Sequence, residues 1–264
     1  TIIPAKQEPG SLEVVAAAKP LLGPDDAIEV VLDASGSMLQ RQDGDRRIDI
    51  AKRTLTALIS DTLPNGTPFV LRVFGHKEAD KCRTDLEIPL GALDRAAATA
   101  RVEGVTAMNL AKTPIADSLA RTMSDLGTVT GERIIVLITD GEETCDGDPA
   151  DVIAKMRASG YDVRVNIVGY AIDDAALQET FALWADLGGG EYFNAGNEAD
   201  LAAALTKAVN PSFTVTDEAG TVLSEGIAGG APITFAAGTY TVTAGAREQQ
   251  VTIEPAKRST VTIE

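Results

Sequence analysis

Asp33, Ser35 and Ser37 alternate with Ala34 and Gly36 directly after the apolar run Val30-Val31-Leu32, so one carboxylate and two hydroxyls leave the chain within five residues. Oxygens at this spacing suit a hard cation, because magnesium takes about six oxygens in octahedral array and keeps several waters. Far along the chain Asp140 ends a second apolar run, Ile134-Ile135-Val136-Leu137-Ile138-Thr139, and Gly141 lets the backbone turn away at once. Between them, Thr113 is a preferred helix-cap type and Pro114 suits the first helical position. Two carboxylates and three hydroxyls are therefore candidates to converge on one cation. Hard oxygen donors favour Mg2+ or Mn2+ over zinc or copper. With neutral hydroxyls as ligands and Asp33 and Asp140 holding bound waters, the ion stays electron-poor and one position stays open to a carboxylate.

Convergence requires a sheet. Apolar runs such as 27–32 and 133–139 read as strands buried on both faces, and open parallel sheets bind ligands at their carboxyl edge. Helical spacing follows over 49–59, Pro64-Asn65-Gly66 breaks it, and a strand follows over 68–75. Pro89 makes 85–90 an edge strand. Helices are expected near 95–102, 114–126, after Asp148-Pro149, over 174–187 and over 199–209, with strands over 161–169 and 191–193. This alternation predicts an α/β fold, a doubly wound and mainly parallel sheet with helices on both faces. Trp184 falls on a helix and is expected in packing. Arg41 to Arg47 form a polar loop beside the cation position.

Asp33-x-Ser35-x-Ser37, Thr113 and Asp140-Gly141, in this order and context, resemble the metal-ion-dependent adhesion site of von Willebrand factor type A domains. The likeness runs from about Ala27 to about Val209. It is closest to bacterial members with Gly-His after the second strand and an Asp-Gly-Glu-Glu-Thr-Cys run, matched here by Gly75-His76 and by Asp140-Gly141-Glu142-Glu143-Thr144-Cys145. The resemblance implies divalent-cation-dependent protein–protein binding in adhesion or assembly, with Asp33, Ser35, Ser37, Thr113 and Asp140 around the ion and a partner's Asp or Glu carboxylate completing it. The alternative is a structural or assembly subunit whose metal only stabilises the fold.

Cys82 and Cys145 each lie just beyond a strand at the same rim, where a bridge and a pair of reduced thiols are both open readings. The matching cysteines of the bacterial members imply the bridge, and with it a periplasmic or extracellular setting. The chain opens at Thr1 without Met, and removal of a signal or anchor is expected. No apolar run approaches the roughly 20 residues of a membrane helix, so no direct membrane insertion is expected. With 39 acidic against 23 basic residues and a net charge of −16, nucleic acid is an unsuitable partner.

The 264 residues divide on this reading into an N-terminal extension (1–25) that adds a strand to a β module around 12–17, the α/β domain (26–209), and a small β-sandwich (210–264). In the last, Thr-Val-Thr alternation and frequent turns replace helical spacing. Glu142, Glu143, Asp146 and Asp148 are either a solvated loop or a second cation site, for Ca2+. An enzyme is not expected. A serine hydrolase using Ser35 or Ser37 with His76 lacks a Gly-x-Ser-x-Gly elbow, and a haloacid-dehalogenase-type phosphatase would need an acid where Ser35 stands.

Overall fold

The computed structural model describes residues 8–16, 22–23, 25–160, 162–245 and 247–263. Ala17, Tyr161 and most of the N-terminal extension fall outside them. The described residues form two compact units. One contains β1 (Gly10–Ala16) and the chain from Asn210 onward; the other is Leu22–Val209.

The larger unit runs β2 (Ala27–Asp33), β3 (Arg41–Gln42), β4 (Asp45–Arg46), α1 (Arg47–Ala57), β5 (Pro68–Phe74), β6 (Thr84–Ala92), α2 (Arg95–Glu103), α3 (Ile115–Asp125), β7 (Arg133–Thr139), α4 (Pro149–Ala158), β8 (Val163–Tyr170), α5 (Ala175–Leu187), β9 (Tyr192–Ala195) and α6 (Glu198–Ala208). Six strands form one sheet in the order β6-β5-β2-β7-β8-β9. All neighbours are parallel except β5 and β6, and Pro89 lies on that edge strand.

Both faces of the central strands β2, β5, β7 and β8 are buried, which is why these read as largely apolar runs. Ile28, Val30 and Leu32 of β2 pack with Ile48, Leu55, Val102 and Leu201 from α1, α2 and α6. Ala27 and Val31 point to the other face and pack with Leu119, Ile153 and Phe181 from α3, α4 and α5. Trp184 joins this second cluster, its ring centroid 5.3 Å from that of Phe181. Register pairs Leu32 with Ile138 and Asp33 with Phe74, so the ends of β2, β5 and β7 lie side by side. Among the described residues, no helix is long and apolar enough to cross a membrane.

The smaller unit adds β10 (Ser212–Thr216), β11 (Val222–Ile227), β12 (Ile233–Phe235), β13 (Gly238–Ala244), β14 (Arg247–Ile253) and β15 (Arg258–Ile263). They form two sheets, ordered β12-β1-β15 and β11-β10-β13-β14. Leu12 and Val14 of β1 share a core with Val215, Val242 and Val261 from both sheets. Without β1 the three-stranded sheet would lose its central strand.

Candidate functional site

Asp33 ends β2 fully buried, and both of its oxygens are held. The Ser35 N–H donates to Oδ1 at 2.7 Å and the Thr139 hydroxyl donates to Oδ2 at 2.7 Å. The chain then enters a 3-10 turn, Gly36–Leu39. Two-residue spacing into this turn brings the Ser35 and Ser37 hydroxyls to 3.0 Å. Ser37 donates to Asp140 Oδ1 at 2.6 Å, while Asp140 Oδ2 takes Arg47 Nη1 at 2.9 Å. Asp33, Ser35, Ser37 and Asp140 thus stand in one hydrogen-bonded chain at the carboxyl edge of the sheet. Burial first, and then the negative charge of Asp140, push the Asp33 carboxyl upward, against the hydrogen bonds from Ser35 and Thr139.

Thr113 reaches this edge on the 104–114 loop, which is stitched to the end of β2 by Gly36 N–H to Ala111 O at 3.3 Å and Met108 N–H to Ala34 O at 3.2 Å. Its main chain is held on both sides by Thr144: the Thr113 N–H donates to Thr144 Oγ1 at 2.8 Å, and the Thr144 N–H donates to Thr113 O at 3.1 Å. The expected cap is corrected here. Pro114 occupies the cap position, the helix starts at Ile115, and the Thr113 hydroxyl makes no capping bond. Glu143 caps from another loop instead, accepting the Ala116 N–H at 2.7 Å.

Gly75 has a steric role. Its φ is +76°, and a Cβ there would lie 2.6 Å from Ser35 Cα and N, so only glycine lets β5 end against the hydroxyl-bearing loop. His76 faces elsewhere. Its Nε2 is 2.8 Å from Glu87 Oε1, in a network in which Lys77 Nζ lies 2.6 Å from Glu87 and 3.3 Å from Asp85, and Arg101 reaches Glu87 at 2.7 Å. The hydrolase pairing has no support in this arrangement, because the histidine is bound to a carboxylate and Ser37 to Asp140.

His76, Asp85 and Glu87 bring three ligand atoms within 4.8 Å of one another, a cluster able to coordinate a divalent cation. Here Lys77 and Arg101 already neutralise it. Burial opposes ionisation of Glu87, but hydrogen bonds from Lys77 and His76 hold its carboxyl below the ordinary range. Of the two readings of the acidic 142–148 segment, the structure gives no side-chain cluster for the calcium site. Among the described residues, Glu142, Glu143, Asp146 and Asp148 bring no three ligand atoms that close together. Glu143 caps α3, and Asp148 caps α4 by accepting the Asp151 N–H at 3.0 Å.

Cys82 and Cys145 are joined in a disulfide with Cα atoms 5.7 Å apart. The sequence left Arg47, Thr139 and Thr144 without roles. Arg47 follows a two-residue turn with positive φ at Asp43 (52°) and Gly44 (98°), and that Asp-Gly pair between β3 and β4 was the available signal.

The oxygens present suit a small hard cation. The octahedral edge of magnesium is about 2.9 Å for ligands at 2.0–2.1 Å, and the two serine hydroxyls stand 3.0 Å apart. Two buried carboxylates beside them supply negative charge that a cation would relieve.

The von Willebrand factor type A domain profile matches residues 28–207. The uncharacterized protein YwmD of Bacillus subtilis (strain 168) is 40% identical over 191 residues, which cover 67% of this chain and 81% of YwmD. Among solved structures, a von Willebrand factor type A protein from Catenulispora acidiphila covers 98% of this chain and 76% of its own, with a TM-score of 0.56 at 16% identity. Proximal thread matrix protein 1 from the mussel byssus, with its MIDAS motif occupied by zinc, matches 70% of this chain and 44% of its own at 18% identity, with a TM-score of 0.56. The profile match and the YwmD likeness together show that this chain belongs to the von Willebrand factor type A domain family.

Proposed function

We propose that this chain is a protein-binding module whose Asp33, Ser35, Ser37, Thr113 and Asp140 hold a divalent cation, Mg2+ or Mn2+, and whose partner presents an Asp or Glu carboxylate to it. The observation that carries this reading is the Ser35–Ser37–Asp140 hydrogen-bonded chain on the carboxyl edge of the sheet, with Asp33 locked behind it. A bound cation supplies an electrophilic point for an anionic oxygen. The protein's part is to present hydroxyls in place of carboxylates, so that little of the ion's charge is neutralised before the partner arrives.

The rim fits this use. Leu110 is 63% exposed with φ +63°, an apolar side chain held beside Gly36 in a backbone conformation that leucine rarely adopts. Arg47 adds positive charge at Asp140, and its side chain is 14% exposed. The disulfide supports a setting outside the cytoplasm, periplasmic or extracellular.

Calorimetric titration tests the ion. Mg2+ and Mn2+ are expected to bind the wild type, with Zn2+ included because the mussel relative carries it. Asp33→Ala combined with Asp140→Ala is expected to abolish the heat; unchanged affinity would mean that the site is misassigned. A second reading, in which the ion only stabilises the fold, draws on the burial of two like charges at Asp33 and Asp140. Partner binding that persists after confirmed chelation selects that reading.

A further inference from the structure

Glu143, Thr144 and Cys145 follow one another just after β7, and each grips a different neighbour. Glu143 spans two N–H groups with one carboxylate, Ala116 at 2.7 Å through Oε2 and Cys145 at 2.6 Å through Oε1, which fixes the segment to the head of α3. Gly147 lets the loop lie flat there, since a Cβ would stand 2.4 Å from Ala116 Cβ. Thr144 clamps the Thr113 main chain in both directions. Cys145 is bonded to Cys82, 63 residues away in sequence. On the Cys82 side, the Asp80 N–H donates to Leu110 O at 2.9 Å. Residues next to the two halves of the cystine therefore bracket the loop that carries Thr113, Asp80 at Leu110 and Thr144 at Thr113 itself.

Nothing else among the described residues holds the Thr113 hydroxyl. Ser35 and Ser37 are bonded to each other and to Asp140, whereas the hydrogen bonds that hold buried Thr113 to Thr144 are those of its backbone. A ligand whose backbone can drift has to be ordered by the ion, and ordering it costs affinity; outer partners of metal ligands are typically worth 10–100-fold for this reason.

Building on the cation reading above, we propose that the cystine-anchored segment Glu143-Thr144-Cys145 is the positioning device for Thr113, so that cation affinity depends on the Cys82–Cys145 bond and on the Thr144 clamp. The site is then responsive to thiol–disulfide state. A dithiol opens the bond by two successive exchanges; it gives up two electrons and two protons as it closes into its own disulfide, and the sulfurs of Cys82 and Cys145 take one of each.

The test is calorimetry with Mn2+ alone on the full chain, oxidised, reduced by a dithiol, and as Cys82→Ser/Cys145→Ser, Thr144→Val and Thr144→Ser, with circular dichroism of each in chelator. Thr144→Val and the open-cystine forms are expected to bind at least about tenfold more weakly, and Thr144→Ser to return near wild type, because it keeps the accepting oxygen. Amide exchange at Thr113 and Asp80 in the wild-type protein, oxidised against reduced, gives a reading that needs no variant to fold; both amides, which donate to Thr144 Oγ1 and Leu110 O, are expected to exchange faster on reduction. If the wild type binds Mn2+, Asp33→Ala does not, and Thr144→Val and the reduced protein stay within twofold, the positioning inference is overturned and the cation site stands. Unchanged exchange on reduction overturns it equally. If wild type binds none of Mg2+, Mn2+ and Zn2+, both fall together.

Discussion

At the scale of single residues the site is a balance of charge between two buried acids and one arginine. Arg47 holds Asp140 Oδ2, but Ser37 independently holds Oδ1, so removing the guanidinium leaves the carboxylate oriented while taking a like charge away from an incoming cation. Arg47→Gln is therefore expected to bind Mg2+ about tenfold more tightly, roughly 1.4 kcal/mol, a small part of the unscreened repulsion between close charges. Calorimetry decides, and weaker binding would show that Arg47 orients Asp140 in place of competing with the ion. Gly75 makes a steric argument instead. Alanine there meets both the left-handed backbone at φ +76° and the Ser35 backbone 2.6 Å away. Gly75→Ala should destabilise the fold by about 2 kcal/mol or more in urea titration, since the neighbouring atoms are main chain and cannot step aside. A loss below about 0.5 kcal/mol would mean that β5 and the serine loop are free to separate.

At the scale of elements, β2 carries an acid that the helices must accommodate. Glu29 is wholly buried, 3.6 Å from Arg72, while Arg72 Nε bonds Asp125 Oδ2 at 2.8 Å. Burial, and then the charge of Asp125, push Glu29 up to about 9 from 4.5, with Arg72 opposing. Between those two values the unfolded chain sheds this proton and the folded chain keeps it, so this group's contribution to stability falls as pH rises, and the loss ends above about 9. Glu29→Gln removes the titration. Denaturant curves are expected to show the variant gaining on wild type from pH 5 to pH 8, by roughly 4 kcal/mol at most; parallel pH profiles would refute the buried neutral acid. The strand itself was legible in Val30-Val31-Leu32, because a strand covered on both faces has no polar alternation to obscure it. Asp33 and Asp140 were legible as ends of such strands. The partners of Glu29 were not, since Arg72 and Asp125 arrive from elements 43 and 96 residues away in the chain. The β3–β4 hairpin escaped for another reason: its strands are two residues each and polar, so only Asp43-Gly44 marked the turn. Thr113 lies on a loop hydrogen-bonded to the end of β2, but the Glu143 cap of the following helix comes from a loop 27 residues past Ala116, with no local trace.

At the scale of the whole molecule the field and the site pull in opposite directions. A net charge of −16 repels an acidic partner while it diffuses in, whereas a cation bound as proposed would attract one carboxylate at contact. The two effects act over different distances. Long-range repulsion is screened once the Debye length, about 10 Å at 0.1 M salt, falls below the separation of approaching surfaces, but a contact at the site is too short for mobile ions to enter. With an acidic partner in hand, the association rate is expected to rise between 0.02 and about 0.3 M salt while the dissociation rate changes little. Chelation is expected to abolish binding at every salt concentration. Stopped-flow mixing with and without chelator measures both quantities. An association rate that falls with salt would place the partner on a basic patch of its own, and binding carried by surface charge in place of the carboxylate. Chelator-resistant binding at high salt would move the docking surface away from Asp33, Ser35, Ser37, Thr113 and Asp140 altogether.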